Sequence, residues 1–162
     1  MTEATQTHDR LLELARDSRL CMLTTTGTDG QLCSRPMTVQ RIDDDATVWF
    51  IASRDSRKAE QLRANAAALV TTTGDGSWTA LAGPAAVVDD LDTLRDLWSP
   101  AAEAWLPGGP EDPDAVLVRV DVESGEYWDG PDSRVATVVS MLRARLTGER
   151  PDVGDHGVVD DV

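Results

Sequence analysis

Thr47-Val48-Trp49-Phe50-Ile51-Ala52-Ser53-Arg54-Asp55-Ser56-Arg57-Lys58-Ala59-Glu60-Gln61-Leu62 changes character halfway along, and that change organises the sequence around it. Thr47 to Ala52 is short, mostly apolar and rich in β-branched and aromatic residues, the pattern of a strand. Ser53 to Asp55 is a brief connection. Ser56 then stands where a hydroxyl caps a helix, which should run to about Ala66 with Ala59, Leu62 and Ala66 inward. Positive charge collects at this junction. Residues 53–63 hold Arg54, Arg57, Lys58 and Arg63 against Asp55 and Glu60, in a chain whose net charge is -14. Lys58 is the one lysine of the sequence, beside fourteen arginines. A helix start presents free N–H groups and the positive dipole end to an anion, Arg adds a two-pronged donor and Lys a point charge. An ordinary solvated helix face has the same composition, so the pattern alone leaves both readings open.

Upstream, residues 7–19 read as an amphipathic helix with Leu11, Leu14 and Ala15 on one face. Leu20 to Thr26 is a strand, Gly27-Thr28-Asp29-Gly30 a turn, and Gln31 to Arg41 a second strand in which Pro36 demands an edge or a bulge. Asp43 to Asp45 is a polar turn, without the carboxylate spacing of a calcium loop. Downstream come a strand at Ala68–Thr73, a turn at Gly74-Asp75-Gly76, and a strand at Trp78–Val88 bent at Gly83-Pro84. A helix capped by Asp89 or Asp92 follows, then a Gly/Pro loop at Pro107–Pro113 and a strand at Ala115–Val122. Glu126 to Asp129 extends or follows that strand, and Ser133 to Leu146 reads as a last helix. Six short, hairpin-linked strands with intervening helices give a mainly β, α+β fold: a small six-stranded antiparallel barrel in one domain over residues 1–148, followed by an acidic tail, 149–162, expected to be loose.

With 162 residues, 41% of them hydrophobic, the chain can bury one core. Its acidity argues against nucleic acid and anionic membranes as partners, since both want clustered Lys and Arg. No apolar run is long enough to span a bilayer, and Met1 to Arg10 is polar, so a soluble, cytoplasmic protein is expected. If Thr26 pairs with Gln31, Cys21 faces Pro36 and is out of register with Cys33, which predicts two reduced, buried thiols. His8 and His156 lie far from the central strands, so nucleophile–His hydrolysis has little support. No zinc pattern, Walker loop or GxGxxG is present.

Two further features bear on a ligand. Arg35 lies within a strand that should be partly buried, where Arg takes a carboxylate or phosphate partner; a plain salt bridge serves equally well. Five Trp accompany one Tyr and one Phe. Trp49 reads as core, Trp98 and Trp105 suit a subunit contact, and Trp128, beside Tyr127 and Asp129, suits a planar ring.

Cys33-Ser34-Arg35-Pro36-Met37, Trp49 to Ser53 leading into Asp55-Ser56-Arg57-Lys58, Leu97-Trp98-Ser99-Pro100, Trp105-Leu106-Pro107-Gly108 and Glu126-Tyr127-Trp128-Asp129 follow one another in an order that resembles the FMN-binding split-barrel superfamily, the pyridoxamine 5'-phosphate oxidase-like proteins, and within it the general stress protein 26 family. The resemblance covers roughly residues 7–148. It implies a split barrel and a homodimer with FMN at the subunit interface. Arg35 would reach the phosphate or ribityl chain, and Pro36, Met37, Thr38, Val39 and Gln40 would lie along the isoalloxazine with backbone contacts. Ile51 and Ala52 would touch the flavin, Ser56, Arg57 and Lys58 would hold the phosphate, and Trp128 would come from the other subunit. Ala52 stands where the family often has Thr, and Leu106 where Phe is expected. Arg134 matches the first Arg of the Arg-x-His-x-Arg signature of true pyridoxamine-phosphate oxidases, but Ala136 and Val138 replace its His and second Arg, which argues against vitamin B6 oxidation. The resemblance thus implies a flavin-dependent oxidoreductase using NAD(P)H and a small acceptor; a non-catalytic FMN-binding stress protein, an acidic interaction module with a vestigial flavin site, and a reductase using the deazaflavin F420 are the alternatives. The last would want an extended basic groove, whereas residues 84–114 hold eight carboxylates against one Arg.

Overall fold

The computed structural model describes residues 3–130, 145, 154–160 and 162. Helix α1 (Glu3–Arg16) precedes β1 (Leu20–Thr26), β2 (Leu32–Thr38), β3 (Arg41–Ile42) and β4 (Thr47–Ser53). Helix α2 (Arg57–Ala64) leads to β5 (Ala67–Thr73) and β6 (Ser77–Val88), then to helices α3 (Leu91–Leu97) and α4 (Pro100–Trp105). Strands β7 (Ala115–Asp121), β8 (Ser124–Asp129) and β9 (Asp155–Val159) complete the described chain. The helix expected over Ser133–Leu146 falls, but for Arg145, outside the described residues.

Among the described residues all pairings are antiparallel, and the strand order is β2-β1-β5-β6-β7-β4-β3, with β8 on β6 and β9 on β8. The two ends of this path, β2 and β3, are consecutive in the chain, and only Val39 and Gln40 separate them. Their N–H groups donate to Arg19 O at 2.8 Å and Trp49 O at 2.9 Å. The sheet therefore curls until its ends meet without a ladder between them, which is a split barrel. Strand β6 makes the curl possible. Its first half pairs with β5 and β8, and Ala85–Val88 pairs with β7. Gly83 stands at the crossing, where a Cβ would lie 1.9 Å from Asp121 O, so two backbones approach there as only glycine permits.

The core follows from the period-2 alternation of the strands. Leu23, Val48, Phe50, Val70, Leu81, Val118 and Val120 are fully buried, and α1 closes one mouth of the barrel with Leu11, Leu14 and Ala15. A second cluster, Leu94, Leu97, Ala115 and Leu117, forms outside the barrel wall beneath α3, with Trp49, Ile51 and Trp98 against it.

Several sequence expectations change. Among the described residues nine strands replace six, because Gln31–Arg41 breaks at Val39-Gln40 and β8 and β9 are separate elements. Thr26 pairs with Leu32, not Gln31, because a five-residue loop closed by Gly27 N–H to Gln31 O, with Gly30 at positive φ, replaces the four-residue turn. Cys21 consequently faces Met37; both cysteines are free, but Cys33 is half-exposed rather than buried. Asp90, not Asp89 or Asp92, caps α3, its carboxylate accepting from Thr93 N at 3.1 Å. Ala66 lies beyond α2 and is exposed, and Gln61 is buried in its stead. The tail differs from expectation over Asp155–Val159, where β9 adds to the sheet and Val159 enters the core.

Candidate functional site

Among the described residues strand β2 is an edge of the sheet and pairs only with β1, which accommodates Pro36 opposite Met22. Alternation turns Cys33, Arg35 and Met37 to one face and leaves Ser34 and Pro36 exposed. Helix α2 begins beside that inner face because Ser56 ends the β4 connection. Its Oγ accepts from Ala59 N at 3.4 Å and its backbone lies at φ -68, ψ 147. Arg57 and Lys58 are the first two helical residues, facing β2. Cys33, Ser34, Arg35, Arg57 and Lys58 line an open cavity of about 440 Å³ between strand and helix.

The cations of this region divide into two sets. Arg54 is bound into the fold: its guanidinium pairs with Asp89 and donates to Pro113 O at 2.7 Å. Arg63 donates to Arg54 O at 3.0 Å. Arg35, Arg57 and Lys58 remain at the cavity, and among the described residues none of them has a carboxylate partner. Arg57 Nη2 donates to Cys33 Sγ at 3.5 Å. Arg35 Nη1 donates to Leu23 O at 3.1 Å and to Thr25 Oγ1 at 2.7 Å, and Nη2 donates to Gln61 Oε1 at 2.8 Å. Thr25 Oγ1 in turn donates to Gln61 Oε1 at 2.7 Å. Thr25 and Gln61 are 1% and 3% exposed, so this relay is interior.

Electrostatics follow from that arrangement. Burial lowers the Lys58 ammonium below its ordinary range, and the Arg35 charge pushes it the same way. Burial also lowers Arg35; the Cys33 sulfur opposes this and Arg57 adds to it. Three like charges at one cavity wall, two of them partly desolvated, make a site suited to a small, highly charged anion.

The other sequence candidates fall elsewhere. Thr38 ends β2, Val39 turns into the core and Gln40 bonds to β4 through its backbone. Ile51 and Ala52 point to opposite faces of β4, Ala52 into the barrel core and Ile51 into the cluster under α3. Trp128 lies on β8 between Trp78 of β6 and His156 of β9, and stacks on the His156 ring at 5.2 Å. It does not line the Arg35 cavity. Arg134, Ala136 and Val138 lie outside the described residues. Sequence reasoning missed Thr25, Cys33 and Gln61. Signals mark two of the three: Cys33 is two residues from Arg35 on the same strand face, and Gln61 is a polar residue beside Leu62 on the helix's inward side.

A family model described as pyridoxamine 5'-phosphate oxidase like matches residues 6–152. Protein bli-3 of Neurospora crassa is 28% identical over 146 residues, spanning 82% of this chain and 69% of that protein. Among solved structures, one described as a general stress protein 26 from Jannaschia sp. CCS1 is 30% identical, covers 99% of both chains and superposes with a TM-score of 0.75. A pyridoxamine 5'-phosphate oxidase-related, FMN binding protein from Nostoc punctiforme PCC 73102 shares the fold at 16% identity and a TM-score of 0.62, over 80% of this chain and 85% of that one.

Proposed function

The chain belongs to the pyridoxamine 5'-phosphate oxidase like family, and on that footing we propose that it is a cytoplasmic FMN-binding oxidoreductase, a homodimer with the flavin at the subunit interface, that uses NAD(P)H and a small acceptor. The observation that carries the reading is the cavity where Arg35, Arg57 and Lys58 gather without a carboxylate partner among the described residues. That donor set fits the phosphate end of FMN: Arg35, Arg57 and Lys58 supply charge, and Ser56 and the first N–H groups of α2 supply neutral donors.

Among the described residues the outer edge of β2 is open and offers the backbone of residues 36–38 to a planar ring, whereas the N–H groups of Val39 and Gln40 are taken by Arg19 O and Trp49 O. Because Ile51 and Ala52 point apart, their joint contact with a ring would be through backbone. Bound FMN supplies the hydride and electron chemistry, and the protein supplies grip, orientation and exclusion of water. No general acid or base is asked of the chain.

A dimer is favoured by one face of the sheet. Pro36, Met22, Thr71, Ala80, Glu126 and Val158 are successive partners across six strands and so share a face. Leu20, Trp78 and Trp128 lie on the same side, two residues from members of that row. Leu20, Met22, Trp78, Trp128 and Val158 are all exposed in the single chain, an apolar surface that a second copy would cover. Such a dimer would bring Trp128 to the interface, as the cofactor reading requires.

Among the described residues Arg35, Arg57 and Lys58 cluster at one cavity, which favours a short phosphate over the polyanionic tail of F420. The decisive experiment is an absorption spectrum of protein purified without added cofactor, with mass spectrometry of what it releases. FMN bound and reduced anaerobically by NADPH or NADH would support the whole reading. Bound FMN that stays oxidised would reduce it to flavin storage, and a colourless protein that takes up no FMN would end it.

A further inference from the structure

A partly buried arginine is ordinarily held by a carboxylate, because a charge withdrawn from water without compensation is costly. Arg35 is held otherwise. Its three protein partners among the described residues are a carbonyl (Leu23), a hydroxyl (Thr25) and an amide (Gln61), all neutral. Gln61 Oε1 accepts from both Arg35 and Thr25, so two donors converge on an amide oxygen where a carboxylate would be the stronger acceptor. A guanidinium has five N–H donors. Partners among the described residues take three, which leaves two, and Arg35 lines the cavity with Arg57 and Lys58.

The choice of amide over carboxylate at residue 61 has a clear electrostatic effect. A glutamate at that position would form a buried ion pair with Arg35 and cancel one of the cavity's three charges. Gln61 holds the guanidinium by a neutral hydrogen bond and leaves its charge directed at whatever enters. We propose that Gln61 and Thr25 are charge-neutral positioning residues for Arg35, and that they make this cavity select a phosphomonoester dianion over a phosphodiester or an uncharged ligand. A monoester phosphate carries close to two charges at neutral pH and three acceptor oxygens, with its second ionisation near pH 6. A diester carries one charge and two terminal oxygens. The inference deepens the FMN reading and rests on it for the identity of the ligand, but not for the selectivity itself.

The test uses the flavin-free full chain and titration calorimetry with inorganic phosphate, dimethyl phosphate, FMN and riboflavin. For the unaltered protein at pH 7.5, inorganic phosphate should bind at least roughly tenfold tighter than dimethyl phosphate, and the gap should narrow at pH 5 as phosphate gains a proton. Gln61→Glu should weaken inorganic phosphate and FMN roughly tenfold or more, since a like charge lies a few ångströms from the anion. Its thermal midpoint should hold or rise and its riboflavin affinity should stay unchanged. A purely structural Gln61 would not produce that split. Thr25→Val, close in shape, should blunt the phosphate preference and so covers the case in which Gln61→Glu fails to fold.

Phosphate binding within twofold of the unaltered protein in the folded Gln61→Glu variant would overturn the proposal, as would equal affinity for dimethyl phosphate. The two readings separate cleanly. FMN uptake that Gln61→Glu leaves unchanged sinks the selectivity and spares the cofactor. The expected phosphate pattern in a protein that takes up no FMN sinks the cofactor and spares the selectivity. Binding of neither sinks both.

Discussion

Arg35 on the edge strand β2 and Gln61 on helix α2 are joined by a 2.8 Å hydrogen bond that ties the two walls of the cavity together. The bond requires the guanidinium's geometry, because Nη1 must reach Leu23 O and Thr25 Oγ1 while Nη2 reaches Gln61. Arg35→Lys keeps the charge but cannot make all three contacts in one plane. It should weaken FMN at least roughly tenfold and cost about 1–3 kcal/mol of stability, because Thr25 and Gln61 are left short of a donor in a buried setting. Flavin titration and chemical denaturation of the same variant read the two effects.

Lys58 trades stability for binding. Its folded-state pKa is lowered by burial and by Arg35, so between the folded and unfolded values the unfolded chain holds more protons. Stability from this group is therefore absent at neutral pH and gained only as pH rises through the lowered value. Lys58→Met should raise the thermal midpoint of the flavin-free protein at pH 7 by on the order of 1–3 °C. The gain should shrink toward pH 10, and FMN affinity should fall sharply. A midpoint that drops at pH 7 would show that the ammonium has a stabilising partner.

Much of this was legible beforehand, and what was not has definite physical causes. The edges of β1 and β4 and the Ser56 cap follow from alternation and from a hydroxyl at the right place. The register of β1 with β2 did not, because the Gly27–Gly30 segment admits loops of four or five residues and one residue moves every partner. Arg57 and Lys58 were readable as a pair, but their separation from Arg54 and Arg63 was not. Pro113 is brought to Arg54 by the long-range pairing of β4 with β7, and Asp89 by the pairing of β6 with β7. The Gln61 relay was hidden for the same reason: helix and strand are 26 residues apart at the Arg35 bond.

The two cysteines should respond oppositely to a thiol reagent. Burial pushes the Cys21 thiol up to about 12, against an ordinary 9.0, with a backbone hydrogen bond at Met37 pulling weakly the other way. Cys33 is half-exposed and lines the cavity beside Arg57. Native protein at pH 8 should release one equivalent of chromophore per chain and a second only in denaturant, and phosphate should slow the first. Cys21 also adds a pH term. Its raised value gives stability that is complete below pH 9.0 and lost progressively up to about 12, so Cys21→Ala should flatten the alkaline limb of the stability curve.

The strand the sequence concealed is testable at one glycine. Strand β9 is held on β8 by its ladder, by Tyr127 Oη donating to Asp155 Oδ2 at 3.2 Å, and by the His156 ring stacked on Trp128. Gly157 faces the Tyr127 ring, and a Cβ there would lie 2.4 Å from Cε1 and 2.8 Å from Thr7 Cγ2. Tyr127 is 4% exposed and cannot swing away without opening the barrel mouth under α1. Gly157→Ala should therefore cost about 1–3 kcal/mol, the usual penalty of overpacking. The β8 amides that pair with β9 should exchange faster with solvent as β9 lifts off. His156→Ala, which removes the stack without adding bulk, should have the smaller effect on both. Equal effects would mean that β9 is fastened by its aromatic contact, not by the close fit of Gly157 against Tyr127.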